Sequence, residues 1–298
     1  MDLRTTNHDV NAVVNDDVLV GTDWLAAHLG DPDLRVVEVG VSRPDYDAGH
    51  IAGAVFWDVY GELKRPDYRP IDRSAFEAVL SRSGIGPTTT VVFYGYAPAL
   101  GFWLMRLHRH PNVHVLDASR ATWRDEGRSW DDETPEHTVP TASDRVELPA
   151  PDASMRADAE QVRALIGAPG TTLVDVRSSA EFDGERFWPS GGLEANGRAG
   201  HIPSAHRMSI DDVYDERGAF RPVDELRTMF DGTEAIGDAG DALVTYCTIG
   251  GRASTAWFVL SQLLGHRDAR VYDGSWAEWG FLPDMPVETA EGMVTSRS

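Results

Sequence analysis

The stretch Val244-Thr245-Tyr246-Cys247-Thr248-Ile249-Gly250-Gly251-Arg252-Ala253-Ser254 contains the only cysteine of the chain, and the rest of the sequence is read outward from it. Ala242 to Tyr246 are apolar and β-prone, which predicts a buried strand. Ala253 to Leu264 carry a dense apolar pattern closed by Gly265, which predicts a helix. Cys247 therefore sits where a strand hands over to a helix, in a loop with two adjacent glycines and a terminal arginine. Glycines let such a loop curl so that successive backbone N–H groups converge on an anion. The N-terminus of the following helix adds partial positive charge. A thiol at that centre is favoured as the nucleophilic thiolate. The alternative is a small apolar cysteine buried at a strand end; the Gly-Gly-Arg tail argues for the reactive thiol.

Self-similarity gives the domain organisation. Leu34–Val39 resembles Thr172–Arg177, and Gly49-His50-Ile51 resembles Gly200-His201-Ile202. Ile85-Gly86 resembles Ile236-Gly237, and Val91–Gly95 resembles Leu243–Cys247. Asp117, Ser119 and Trp123 match Asp273, Ser275 and Trp279 at identical spacing. The matches are collinear, so the chain is two copies of one domain, residues 17–130 and 153–283. A connector rich in Asp, Glu, Pro and Thr, residues 131–152, joins them across the surface. Helices are expected at Thr22–Leu29, capped by Thr22-Asp23, and at Arg73–Ser83 and Ala99–His108. Strands are expected at Arg35–Val39, Thr90–Tyr94 and Val113–Leu116. This alternation makes each copy an α/β unit, a mostly parallel sheet with helices on both faces. Its site belongs at the carboxyl ends of the strands, where Cys247 and Asp175-Val176-Arg177 can meet. The tail beyond Val287 reads as frayed.

The copies diverge where chemistry is expected. Gly95 occupies the position of Cys247, and Gly40 that of Arg177. The first copy has lost nucleophile and cation, and reads as a wall over the second copy's cleft. The second copy carries extra residues around 185–198, a loop for the active face or the domain interface.

Bulk properties narrow the function class. A net charge of −21 argues against nucleic acid and anionic membrane as partners. There is no apolar run long enough to span a bilayer and no signal peptide in the acidic N-terminus. One cysteine excludes an internal disulfide, so a cytoplasmic location is the default expectation. Lys64 is the only lysine, and nearly all positive charge is arginine.

Together, Asp175-Val176-Arg177, Gly200-His201-Ile202-Pro203, the loop Cys247–Arg252 and Tyr272-Asp273-Gly274-Ser275-Trp276 resemble the tandem-domain rhodanese family, the thiosulfate and 3-mercaptopyruvate sulfurtransferases. Ala256–Leu260 with Leu264-Gly265-His266 resembles the bacterial thiosulfate branch. The resemblance implies two rhodanese-like domains with the second one catalytic, and no metal or organic cofactor. It implies sulfane sulfur passing from a small anionic donor, through a Cys247 persulfide, to cyanide, a thiol or a protein sulfur acceptor.

By that resemblance Cys247 is the nucleophile and Thr248, Ile249, Gly250, Gly251 and Arg252 cradle the donor. Arg252 binds the sulfonate or orders the loop, and Arg177 does likewise or pairs with Asp175. Asp175, Asp273 and Trp276 support the loop, Trp276 equally as plain core. His201, like His50, stabilises a turn. Two basic positions of the animal enzymes are absent: Ile249 and Glu181 stand there, leaving Arg252, Arg177, Arg186 or Arg198 to supply charge. The loop is not the Cys-Gly-Ser-Gly-Val-Thr of mercaptopyruvate enzymes, and its arginine suits thiosulfate. A mercaptopyruvate donor and a sulfur carrier serving a protein partner remain the alternatives. Rhodanese-like phosphatases place five residues between cysteine and arginine; here Thr248 to Gly251 are four.

Overall fold

The computed structural model describes residues 16–133, 146–231 and 242–294. The N-terminal acidic segment up to residue 15, the Ile236-Gly237 match and most of the connector lie outside the described residues.

In the first half the strands are β1 (Leu19–Val20), β2 (Leu34–Gly40), β3 (His50–Ile51), β4 (Val55–Asp58), β5 (Thr90–Gly95), β6 (Val113–Leu116) and β7 (Trp130–Asp131). Between them run α1 (Thr22–His28), α2 (Arg43–Asp47), α3 (Arg73–Arg82), α4 (Pro98–Leu107) and α5 (Arg120–Asp125). Every pair in the sheet β1-β6-β5-β2-β4 is parallel. The second half holds β8 (Arg156–Ala157), β9 (Thr171–Asp175), β10 (Ala205–Arg207), β11 (Ala242–Tyr246) and β12 (Arg270–Tyr272). Its helices are α6 (Ala159–Leu165), α7 (Ser179–Phe182), α8 (Val223–Asp231), α9 (Gly251–Phe258) and α10 (Ser275–Trp279). The order β8-β12-β11-β9-β10, again all parallel, repeats that of the first sheet strand for strand. The α/β reading therefore holds in both halves.

Local chemistry explains most element ends. Asp72 caps α3 and Ser119 caps α5 with their side chains, and Asp158 and Ser178 make full capping boxes on α6 and α7. The cap expected at Thr22-Asp23 is instead Gly21, which makes no side-chain bond. The helix after Cys247 starts at Gly251 and passes into a π-helical turn over Val259–Leu263.

Two further expectations are corrected. The connector's last residues do not run free over the surface. Val146 and Leu148 are buried, Leu148 N–H donates to Glu77 at 3.0 Å, and Asp152 N–H donates to Leu107 O at 2.8 Å. The segment after Pro286 is not frayed but forms a hairpin, β13 (Val287–Thr289) with β14 (Gly292–Val294). Its Glu288 exchanges two backbone hydrogen bonds with His201.

The halves share one continuous apolar core in which α4 packs on α9. Phe102 meets Phe258 edge-on, with ring centroids 4.9 Å apart at 88°, and Trp257 at 6.3 Å. Each half also extends a hairpin onto the other. The one bridged at Tyr214 and Phe220 reaches the first half: Ser119 N–H donates to Arg217 O at 3.0 Å, and Phe220 N–H to Asp117 at 2.7 Å. The hairpin bridged at Lys64 and Pro70 reaches the second half: Arg69 pairs with Glu278, and the Tyr68 ring meets Trp188 at 5.4 Å. Trp188 belongs to the extra 185–198 loop, which thus touches the domain interface. Phe102→Ala is expected to cost about 3–5 kcal/mol and to split one cooperative thermal transition into two; calorimetry showing a single transition in the variant would contradict the shared core.

Candidate active site

Cys247 follows β11, the central strand of the second sheet, with Tyr246 in register beside Asp175 of β9. Its side chain is 1% exposed. The chain then turns sharply, with Gly250 at φ +90°, so that Gly250 N–H donates to Sγ at 3.1 Å before α9 begins. A Cβ at Gly250 would stand 3.0 Å from both Asp273 O and Lys64 Nζ, so both φ and space require glycine. The start of α10 holds the loop from the other side. Trp276 N–H donates to Cys247 O at 2.9 Å, and Ala277 N–H to Thr248 O at 2.8 Å. Cys247 N–H donates to Ser275 Oγ at 3.2 Å, and Ser275 in turn donates to Tyr272 O. Ser275 adopts φ +52°, a strained conformation fixed by these bonds.

Arg252 does not stand free for a sulfonate. Its two terminal nitrogens grip both oxygens of Glu181, at 3.0 and 2.7 Å, in a bidentate pair. Thr248 donates its hydroxyl to the same carboxylate at 2.7 Å. Glu181 is buried and also closes the capping box of α7. Burial by itself would raise its pKa; hydrogen bonds and charge from Arg252, with bonds from Thr248 and Ser178, outweigh it and bring it down to about 2. The acidic residue at a position where a cation was sought is thus the anchor of the loop's own cation.

Arg177 is fully buried. It pairs with Asp175 at 2.6 Å, donates to Gly200 O at 2.7 Å, and lies 4.6 Å over the Trp276 ring. These partners make it a core ion pair with Asp175, the pairing expected as its alternative role, while Nη1 has no hydrogen-bond partner among the described residues. Asp273 accepts from Arg156 at 3.0 and 3.1 Å. Trp276 is core, with its backbone on the loop. Ile249 packs against the core. Arg198 is spent on the carbonyls of Met285, Trp279 and Leu282, and Arg186 bonds Pro189 O. His201 stacks on Phe182 and bonds its carbonyl at 2.8 Å, as His50 does with Tyr46 at 2.9 Å. Both are turn residues.

The first half faces this loop with Lys64 and Tyr60. The phenol of half-exposed Tyr60 is pushed up by burial first, then by Tyr96 and Cys247. Gly95, at the position of Cys247, has φ +102° and would bring a Cβ within 2.9 Å of Glu38. The first half has therefore closed around the absence of a side chain there.

Because Glu181 lies below its ordinary 4.5, its contribution to stability is present above about pH 4.5 and lost as the pH falls toward about 2. Glu181→Gln is expected to cost about 3 kcal/mol at neutral pH. In thermal melts its deficit against the parent protein should shrink between these two pH values; a deficit independent of pH would rule out the ion pair as its source.

A family model described as the rhodanese-like domain matches residues 21–126 and again 158–281. A Saccharopolyspora erythraea protein named "Putative thiosulfate sulfurtransferase" is 38% identical over 284 residues, covering 93% of this chain and 98% of that protein. The sulfur carrier protein TtuD of Thermus thermophilus is 37% identical over 289 residues, covering 92% and 98%. Among solved structures, an EanB variant with a persulfide cysteine and ergothioneine superposes with a TM-score of 0.80 at 25% identity, covering 93% of this chain and 71% of that one. With the domain model matched in both halves and relatives similar along nearly the whole length, the chain belongs to the rhodanese-like family and carries its domain twice.

Proposed function

We propose that the protein is a sulfurtransferase that takes sulfane sulfur from thiosulfate onto Cys247 and passes it to cyanide or a thiol. The observation that carries this reading is the Gly250 N–H aimed at Sγ, in a loop with four residues between Cys247 and Arg252, one fewer than rhodanese-like phosphatases have. In the first step the Cys247 thiolate attacks the outer sulfur of thiosulfate. A new S–S bond forms, the old one breaks, and sulfite leaves with the bonding pair. In the second step the acceptor attacks the outer persulfide sulfur and restores the thiolate. Neither step needs a net oxidant or reductant.

The geometry suits an intermediate that must survive between two substrates. Near-complete burial keeps water from the sulfur. The backbone N–H of Gly250 serves thiolate and persulfide alike, because it is fixed by the chain and not by a rotamer. Arg252 holds the loop in shape through Glu181. Arg177 with Asp175, Asp273 and Trp276 brace it from beneath. The second half, 153–283, carries the chemistry; the first, 17–130, walls the site. The likeness to a sulfur carrier protein favours a protein acceptor as the second reading.

Intact mass after brief exposure to thiosulfate tests the first step. A gain of one sulfur, about 32 Da, should appear, vanish on adding cyanide, and be absent in Cys247→Ser. A gain with 3-mercaptopyruvate alone would replace the donor and keep the nucleophile. A persulfide that resists cyanide and small thiols would favour the carrier.

A further inference from the structure

The only lysine of the chain is buried against the sulfur loop without a partner. Lys64 is 5% exposed, and among the described residues its Nζ has no hydrogen-bond partner. It belongs to the first half, yet Nζ faces the Cα of Gly250, the residue whose N–H is on Sγ. Its position does not depend on a floppy side chain alone. The hairpin that carries it is closed by Leu63 N–H to Asp58 O, Ile71 N–H to Leu63 O and Arg65 N–H to Arg69 O. Arg69 and Tyr68 then tie that hairpin to the second half.

The local charge balance shows what this ammonium lacks. Arg252 is matched by Glu181, and Arg156 by Asp273, each within 3.0 Å. A thiolate, an anionic donor or a persulfide adds negative charge with no such match. A desolvated ammonium without a counter-ion is itself unfavourable. Each deficit is the other's complement.

The repeat supplies an independent argument. The bridge Lys64–Pro70 in the first half corresponds to Tyr214–Phe220 in the second. Both hairpins cross the interface, but the one meeting the cysteine-less half carries Tyr214, packed on Phe220 at 4.8 Å. At this bridge position the cation occurs only on the hairpin that reaches Gly250 of the sulfur loop.

We propose that Lys64 is the second cation of the sulfur-transfer site, supplied by the half that lost its nucleophile, and that it selects for anionic species at the Cys247 sulfur. This rests on Cys247 being the nucleophile proposed above. Lys64 acts through its field across Gly250 and is a positioning residue.

Burial pulls the Lys64 pKa down to about 8, against the opposing charges of Asp273 and Cys247; Arg156 lowers it further and Asp67 raises it. The ammonium is therefore present at neutral pH and lost as the pH rises through about 8. An anion bound beside it would hold the proton to higher pH.

Alkylation of the single thiol by anionic iodoacetate and neutral iodoacetamide tests this without any assumption about the donor. Both reagents consume the same thiolate, so the ratio of their rates cancels its titration and reads the surrounding charge. In the parent protein that ratio should fall severalfold from about pH 7 to about pH 9.5. In Lys64→Met, which keeps length and removes charge, it should be about tenfold lower at pH 7 and flat with pH; Lys64→Gln should match it. The KM for thiosulfate should rise about tenfold in both variants with kcat little changed. Should either variant fail to fold, the parent profile alone decides. A ratio that ignores both pH and substitution overturns the role of Lys64 even if thiosulfate loads sulfur normally. A Lys64-dependent ratio in a protein that takes no sulfur from thiosulfate overturns the donor and leaves the cation.

Discussion

Everything at the site depends on one turn, the left-handed Gly250. It converts the end of a central parallel strand into the first turn of a helix within four residues of Cys247, and in doing so brings a backbone N–H onto the sulfur. Few other residue types adopt that φ without cost, and the space a side chain would need is taken by Asp273 O and Lys64 Nζ. The turn is not held by its own propensity. It is clamped by α10 through Trp276 and Ala277, by the strained Ser275, and by the Glu181–Arg252–Thr248 cluster. Fixed donors of this kind need no reorganisation when charge arrives, which is where preorganised sites gain over water.

The repeat separates what the scaffold needs from what the chemistry needs. Tyr94 and Tyr246 both accept the N–H of the residue after the Gly-His pair, at 3.1 Å in each half. His50 and His201 stack on matching aromatic rings, and Glu38 and Asp175 each pair with an arginine, Arg120 in one half and Arg177 in the other. These features persist where there is no cysteine, so they are structural. Cys247 and Arg252 have no counterparts in Gly95 and the Tyr96-Ala97-Pro98-Ala99-Leu100 turn. The buried Arg177 pair falls on the structural side of this division, despite its place at a strand end. A buried pair of this sort is costly to break and contributes little net stability over an apolar substitute.

Much of this was legible in the sequence. The order and collinearity of the repeated segments gave both α/β halves, and the strand Ala242–Tyr246 and the place of Cys247 at its end agree with the structure. The direction of the charged side chains was not legible. In the sequence Glu181 stands as the loss of a cation, because nothing local shows that a carboxylate on α7 will meet Arg252 across the loop. Lys64 is separated from Gly250 by most of the chain, and its singularity among arginines read as composition. The hairpin after Pro286 has too few residues for a periodic signal, and its stability comes from Glu288 on His201. Periodicity reports which face is buried; it does not report which partner waits there.

The retention of a half without a nucleophile follows from these contacts. Removing it would strip α4 from α9, and with it the apolar cover over Trp257 and Phe258. It would also remove the hairpin that stands on the sulfur loop and the Tyr68 ring that meets Trp188. In a chain of net charge −21, an anion approaching the second half alone would meet a site whose arginines are already neutralised by carboxylates. Long-range repulsion is screened within roughly 8–10 Å at physiological salt, so what counts is the charge within the last turn of the approach. That short-range charge can come from a distant part of the sequence as readily as from the loop itself, and here the hairpin of the first half is the element that brings it there.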